Sequence, residues 1–367
     1  MGFNILHTEW SGGWGGQEMR VVAESVAMQA RGHNMAIACQ PDSRILQEAI
    51  AADLLTVPMR MGKGLDVVGI TRCIQVIRTH KIDLVHTHSS PDAWTCGMAA
   101  RLAGVRVVRS RHLSTPVKRG WSSRLVYGRL ADRVIASGKA IRDHLIQVNA
   151  ADSASIVSIP AGIDVQRFAP VADARATRSE LGLADTDFVI GIVAVLRSWK
   201  GHTHLIDAVH RLAAENVPVK LLIVGAGPQE DALKRKIQQL GMDSRVLMLG
   251  YRTDVPRLIG AMDCCVLPAT KNEATSQALP QALAMKTPVI ATAVGGLPEV
   301  VIDQETGLLI PPGDTDSLYR ALLRVHQNPA EAKQMAKRGH AHVHANFTFE
   351  HMVDRTEAVY RELVPDR

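Results

Sequence analysis

The sequence predicts an α/β protein of two Rossmann-like, doubly wound domains facing each other across a cleft. Three observations predict it: a length of 367 residues, two successive series of short apolar runs each followed by a helix-like stretch, and a polar, Pro- and Gly-bearing segment between the series. The length exceeds one ordinary hydrophobic core, so two domains of ordinary size account for it. Apolar residues make up 46% and charged residues 21%, the composition of a globular chain, which excludes fibrous and low-complexity classes.

The first series is NILHT, NMAIACQ, DLLTVP, IDLVHTH, VRVVRSR and DRVIAS. These runs are rich in Ile, Val and Leu without clean alternation, as expected of parallel strands covered by helices on both faces. Between them lie amphipathic segments such as GGQEMRVVAESVAMQARG and GLDVVGITRCIQVIRTHK, closed by Gly or a basic residue. The repeating unit is βα. It restarts after residue 185 with DFVIGIVAVL, VKLLIVGAG, RVLMLGY, DCCVLPA, TPVIATAV and TGLLIPPG. SIPAGIDVQRFAPVADARATRSELG reads as the linker, and FTFEHMVDRTEAVYRELV as an amphipathic helix with no strand after it. The expected divisions are residues 1–165, 166–345 and a terminal helix in 346–367.

The net charge of +6 is unevenly placed, with 19 Lys and Arg against 13 Asp and Glu up to Asp164 and an even balance beyond. Residues 101–142 hold eleven cations against only Asp132 and Asp143, a candidate surface for an anionic partner, with a solvated face of Arg stems as the plainer alternative. Aromatic residues at 4% and the lack of a stacking platform argue against nucleic acid. MGFNILHTEW lacks the basic stretch and apolar core of a signal peptide, Leu6 stands where a myristoylation motif wants Ser or Thr, and no apolar run reaches about 18 residues. Cys39, Cys73, Cys96, Cys264 and Cys265 show no CxxC or Cys/His ligand spacing and read as reduced, buried thiols. Together these favour a cytoplasmic chain that does not span a membrane, with peripheral contact at the inner membrane face through 101–142 as a candidate.

Four places carry chemistry. Gly12, Gly13, Gly15 and Gly16 follow the first strand and precede a helix, a turn that brings N–H groups close to an anion or is simply tight. Its spacing is not that of a dinucleotide GxGxxG. Arg197 and Lys200, with Gly201, end the first strand of the second series in VAVLRSWKGH, where two cations suit a diphosphate or form a solvated loop. In LPATKNEATSQALPQALAMKTPVIATAVGGLPEVV, Glu273 follows a strand, Thr275 and Ser276 open a helix near Gln277, Gln281 lies two turns beyond Glu273, and Gly295, Gly296 and Glu299 close the next strand. A carboxylate, a helix N-terminus, an amide and a glycine turn thus fall in one βαβ unit, beyond what capping alone requires. His86 and His88 in HTH lie two apart, but no third ligand presents itself in the sequence, so a metal pair is not the favoured reading.

The segment EATSQALPQALAMKTPVIAT resembles the signature of the retaining nucleotide-sugar glycosyltransferases of family 4 (glycosyl transferases group 1), which have the GT-B fold. That signature is a Glu, seven residues and a second Glu. Glu273 fills the first acidic position and Gln281 the second, where an amide lacks the charge and bidentate capacity of Glu. GGWGGQE resembles the family's GG-x-E turn, RSRHLST its His-bearing loop, SIPAGIDVQRF its linker with Ala161 in place of Asn, VAVLRSWKGH its phosphate-binding segment with a shortened Arg-to-Lys spacing, and LLIVGAGPQ and LGYRTDVP two further strand ends. The resemblance covers nearly the whole chain.

The resemblance implies an acceptor-binding first domain, a donor-binding second domain and a last helix that crosses back onto the first. It places Gly15, Gly16, Arg197, Lys200, Gly225, Thr275, Ser276, Gln277 and Gln281 around a nucleotide-sugar, Tyr251 and Arg252 at the nucleobase, Glu273 at the donor sugar, and His112 at the transferred sugar or leaving phosphate. Glu273, His112, Arg197 and Lys200 are then the catalytic set. The implied reaction passes a sugar, from a UDP-sugar in the first instance, to a glycan or lipid-linked acceptor of polysaccharide or lipopolysaccharide biosynthesis with retention, and without a metal or other cofactor. Two alternatives remain: a nucleotide-sugar epimerase, and a non-catalytic sugar-nucleotide-binding homologue, which Gln281 and Ala161 make conceivable.

Overall fold

The computed structural model describes residues 2–64, 66–112, 117–149, 152–171, 173–271 and 273–364. Residues up to Ala161 together with the chain from Glu350 form one compact unit, and Gly162–Phe349 form a second. Each is a parallel sheet wrapped by helices, the predicted fold class.

The N-terminal unit contains β1 (Asn4–Glu9), β2 (Asn34–Cys39), β3 (Leu55–Pro58), β4 (Leu84–Thr87), β5 (Arg106–Arg111), β6 (Arg133–Ala136) and β7 (Ile156–Ser158), in the order β3-β2-β1-β4-β5-β6-β7. The C-terminal unit contains β8 (Phe188–Val193), β9 (Val219–Val224), β10 (Val246–Gly250), β11 (Cys264–Leu267), β12 (Val289–Thr292) and β13 (Leu308–Ile310), in the order β10-β9-β8-β11-β12-β13. Strand β7, whose last residue Ser158 opens the segment read as linker, has no counterpart among the predicted runs: three residues are too few for a periodicity, and it forms by adding to the edge of β6. The helix Arg175–Glu180 also lies within that segment. All five cysteines are buried and unpaired. Among the described residues, no helix is long and apolar enough to cross a membrane.

Both sheets reverse direction of growth at one place, between β1 and β4 in the first and between β8 and β11 in the second. At such a point the two following connections leave to opposite faces, and a crevice opens at the carboxyl ends of the strands. Local chemistry fixes the connections there. The helix Ser90–Ala103 starts with Asp92 accepting the Ser89 N–H at 2.8 Å and stops at Gly104, whose φ of 74° only glycine adopts freely.

The last helix, Phe349–Leu363, belongs to the N-terminal unit for most of its length. Arg31 holds it through Asp354 at 2.6 Å and Glu357 at 2.7 Å, and Arg133 reaches Glu362. Burial alone would raise the Glu357 carboxyl, but hydrogen bonds from Arg31, Arg361 and His33 bring it down to about 2. Tyr360 from this helix is wholly buried.

Candidate functional site

In the C-terminal unit, the connections after β8 and β11 meet. Lys200 Nζ lies 2.7 Å from Glu273 Oε2, joining residues 73 apart in sequence, and Glu273 is only 6% exposed. The approach is enforced by backbone. Trp199 O accepts the Thr270 N–H at 2.8 Å, and Gly201, at a φ of 81°, sits where a Cβ would stand 1.8 Å from Pro268 O. On the other side Gly295, at a φ of 57°, leaves no room for a Cβ against Glu273 O, and the Gly296 N–H donates to that oxygen at 3.2 Å. The glycine turn after β12 thus cradles the backbone that carries the carboxylate.

The other expected donor residues separate into two groups. Thr275 is buried, Ser276 takes a positive φ of 55°, and Gln277 caps the short helix Ala278–Ala284 that holds Gln281. Arg197 is exposed, with its guanidinium 5.1 Å from the Trp199 ring centroid. Gly225 follows β9 and donates its N–H to Gly250 O at 2.8 Å. Tyr251 is exposed, whereas Arg252 is held by Asp254 through two hydrogen bonds of 2.7 and 2.6 Å, so its guanidinium is already engaged. His202, adjoining Lys200 and Gly201, was not singled out. It is buried with neither ring nitrogen hydrogen-bonded, and burial, then the Lys200 charge, lower its pKa to about 4.

In the N-terminal unit the glycine turn after β1 is closed by acids. Gly15 donates its N–H to Glu18 at 2.9 Å and Ser11 to Glu9 at 2.8 Å, so part of the expected anion cradle faces inward to carboxylates. Burial, helped by the nearby Asp92 charge, pushes Glu9 up to about 8. Glu18 is the acid of the GG-x-E pattern, whereas Glu9 carries no sequence signal, because its contact depends on the turn itself.

His112 ends a hydrogen-bonded chain that local sequence does not show. The pairing of β1 with β4 sets His7 beside His86, supplying the third imidazole missing from the HTH pattern. Donor accounting fixes the tautomers. Arg20 donates to Glu24 at 3.3 Å, and the Tyr360 hydroxyl donates to Glu24 at 3.2 Å. The Tyr360 oxygen then accepts from His86 Nδ1 at 2.6 Å and His7 Nε2 at 3.2 Å. His7 Nδ1 accepts from His88 Nε2 at 2.9 Å, His88 Nδ1 accepts from His112 Nε2 at 3.0 Å, and Ser110 Oγ donates to His86 Nε2 at 2.8 Å. Every ring is neutral, in keeping with burial, the largest cause, driving the His7 pKa down to about 3 and those of His86, His88 and His112 well below the usual range. His112 Nδ1 is left as an acceptor facing Ser137 Oγ at 3.4 Å. The adjoining residues 113–116 of its loop lie outside the described residues.

Removing the Tyr360 hydroxyl leaves Glu24, His7 and His86 each short of a partner in the interior. Tyr360→Phe is expected to lower unfolding free energy by about 2–4 kcal/mol, read from urea denaturation. A loss below about 0.5 kcal/mol would mean that water replaces the hydroxyl and that the tautomer chain is not closed as described.

Residues 14–167 match the family described as Glycosyltransferase Family 4, and residues 173–342 the family described as Glycosyl transferases group 1. The chain is 30% identical over 297 residues, 77% of its length and 77% of the relative's, to the GDP-mannose-dependent monoacylated alpha-(1-6)-phosphatidylinositol monomannoside mannosyltransferase of Corynebacterium glutamicum. It is 28% identical over 315 residues to the UDP-Gal:alpha-D-GlcNAc-diphosphoundecaprenol alpha-1,3-galactosyltransferase of Escherichia coli, covering 82% of this chain and 81% of that one. Its fold is that of the Anabaena protein HepE, solved in complex with UDP, at a TM-score of 0.89 and 22% identity over 98% of this chain and 100% of that one.

Proposed function

We propose, from the premise that this chain belongs to the family 4 (group 1) glycosyltransferases, that it moves a sugar from a nucleotide-sugar to a glycan or lipid-linked acceptor with retention of configuration. The observation that carries the reading is the Lys200–Glu273 pair at 2.7 Å, which sets a cation and a buried carboxylate side by side at the switch point of the C-terminal sheet. During transfer the anomeric carbon gains oxocarbenium character while negative charge grows on the departing diphosphate. Arg197, Lys200 and the backbone at Ser276 and Gln277 receive that charge, and Glu273 orients the sugar hydroxyls. No metal takes part in this scheme. Gln281 offers a ribose hydroxyl one amide oxygen, and Tyr251, rather than the engaged Arg252, meets the base. His112, a neutral acceptor at Nδ1, takes a hydrogen bond from a sugar hydroxyl.

The relatives support this reading by what their names record: one uses GDP-mannose, the other a UDP-sugar and a diphosphate-linked lipid acceptor, and HepE was solved with UDP. A role in cell-surface polysaccharide assembly, with the basic segment 101–142 meeting an anionic membrane from the cytoplasmic side, completes the proposal. A ligand that binds only the folded state raises its melting temperature by mass action. Screening UDP-sugars and GDP-mannose by thermal shift is expected to yield at least one stabilising donor, with the shift lost in Lys200→Ala. No shift from any nucleotide sugar would sink the assignment of the donor site.

A further inference from the structure

We propose that a cavity beside β5, walled by Arg109, Arg111, Lys118, Trp94 and Tyr127, binds the phosphate or diphosphate group of a phosphorylated acceptor. The proposal rests on the transferase reading above and names the chemistry of its second substrate. The cavity measures about 350 Å³, and none of the described residues lining it is acidic. It lies toward the carboxyl end of β5, the strand that leads into His112, and Ser90 at its edge begins the helix that follows β4.

The basic stretch divides on this point. Arg101 and Arg106 share Asp132, Arg133 reaches Glu362, and Arg142 reaches Asp143. The cations around the cavity include one whose burial demands an explanation. Arg109 is 2% exposed, yet forms no ion pair within 4 Å among the described residues. Its Nη1 donates to Ser89 O at 2.6 Å, its Nη2 reaches the Tyr127 hydroxyl at 3.5 Å, its guanidinium lies 4.9 Å from the Tyr127 ring centroid, and its Nε has no partner. The acid whose charge Arg109 feels, Asp92, is engaged elsewhere: it accepts from Thr8 Oγ and the His88 N–H at 2.9 Å each, and from the Ser89 N–H and hydroxyl at 2.8 and 2.6 Å.

A buried guanidinium without a carboxylate is costly unless an anion completes the site. A planar donor fork matches phosphate oxygens, and Arg111 and Lys118 add two further cations at the same cavity. Trp94 and Tyr127 supply apolar walls for the group that the phosphate carries. Next to it Arg119, Arg124 and Arg129 line a second concavity with Trp121, so the field that steers an anion inward extends beyond the site. The same chemistry is offered by a soluble sugar phosphate and by a lipid-linked diphosphate.

Titration calorimetry on the whole chain separates these sources, using α-D-glucose 1-phosphate and farnesyl diphosphate as probes and glucose and farnesol as uncharged controls. Wild type is expected to bind at least one charged probe, and the double variant Arg111→Gln/Lys118→Gln to bind it at least about ten-fold more weakly, for loss of charge-assisted contacts. Lys234→Gln, which removes an exposed cation of the C-terminal unit, should bind as wild type does. Preference for the first probe assigns a soluble acceptor and preference for the second a lipid-linked one. Equal binding by wild type and the double variant, binding of neither probe, or an equal loss in Lys234→Gln would each overturn the proposal. Should the double variant melt early, Lys118→Gln alone, at an exposed position, carries the comparison. No donor is present in the titration, so its failure leaves transfer intact, and failure of transfer leaves this binding to be read.

Discussion

Lys200→Ala and Glu273→Ala are each expected to lower kcat/KM for sugar transfer by about 10²–10³, the scale at which removing one preorganised charge-stabilising group costs about 3–4 kcal/mol. The geometry explains why neither effect should be small. Lys200 and Glu273 are an ion pair with side chains 19% and 7% exposed, so each holds the other in place as well as facing the substrate. Removing Lys200 leaves a carboxylate largely buried without its cation, and removing Glu273 frees a lysine from the position that the turn at Gly201 gives it. The double variant should therefore lose much less than the sum of the single losses, because the residues act as a unit. Steady-state kinetics at matched donor concentrations, with unfolding curves to show that the variants fold, check this. Near-normal rates in both single variants would remove the pair from the reaction.

Acid is expected to destabilise the N-terminal unit in a window set by its histidines. A group whose folded pKa is depressed below its unfolded value leaves the unfolded chain binding more protons, so stability falls as pH drops. His7, at about 3 when folded and 6.5 when free, favours unfolding by about 1.4 kcal/mol for each pH unit between those values, and His86, His88 and His112 act with the same sign. Glu9, Glu24 and Asp92 act oppositely, since burial raises all three and lets the folded state hold their protons. Below about pH 5.5, where the unfolded imidazoles are almost fully protonated, four imidazoles against three carboxyls leave a net loss of roughly 1 kcal/mol per pH unit. Urea unfolding at about pH 5.5, 5 and 4.5 measures the slope, and Glu9→Gln should steepen it by removing one opposing carboxyl. A flat or rising stability over that range would contradict the neutral histidine chain.

The histidine chain also shows where sequence reasoning stops. Apolar runs such as DFVIGIVAVL and DCCVLPA are legible as buried parallel strands because both faces are covered, and the residues just past their ends, Lys200 and Glu273, are legible as chemistry because charge at a strand end has few structural uses. That they touch follows from β8 lying beside β11, which the family pattern implies and no local period encodes. His7 joins His86 for the same reason in the other sheet: their strands are neighbours although about 80 residues separate them. Tyr360 reaches both from the far end of the chain. Arg252 differs, since Asp254 two residues on already offered it a partner, and the doubly hydrogen-bonded pair forms there. Arg109 was counted only as one charge in a basic stretch, because burial without a carboxylate is a property of the fold.

The central claim is tested most directly by following the anomeric proton of an α-linked nucleotide-sugar by NMR in the presence of the chain and a phosphorylated acceptor. The account predicts equimolar release of nucleoside diphosphate and a new α-glycoside on the acceptor, both slowed by about 10²–10³ with Glu273→Ala. Conversion of the donor to an epimer without acceptor, a β-glycoside as product, or a donor that binds and stays intact with every acceptor would contradict it.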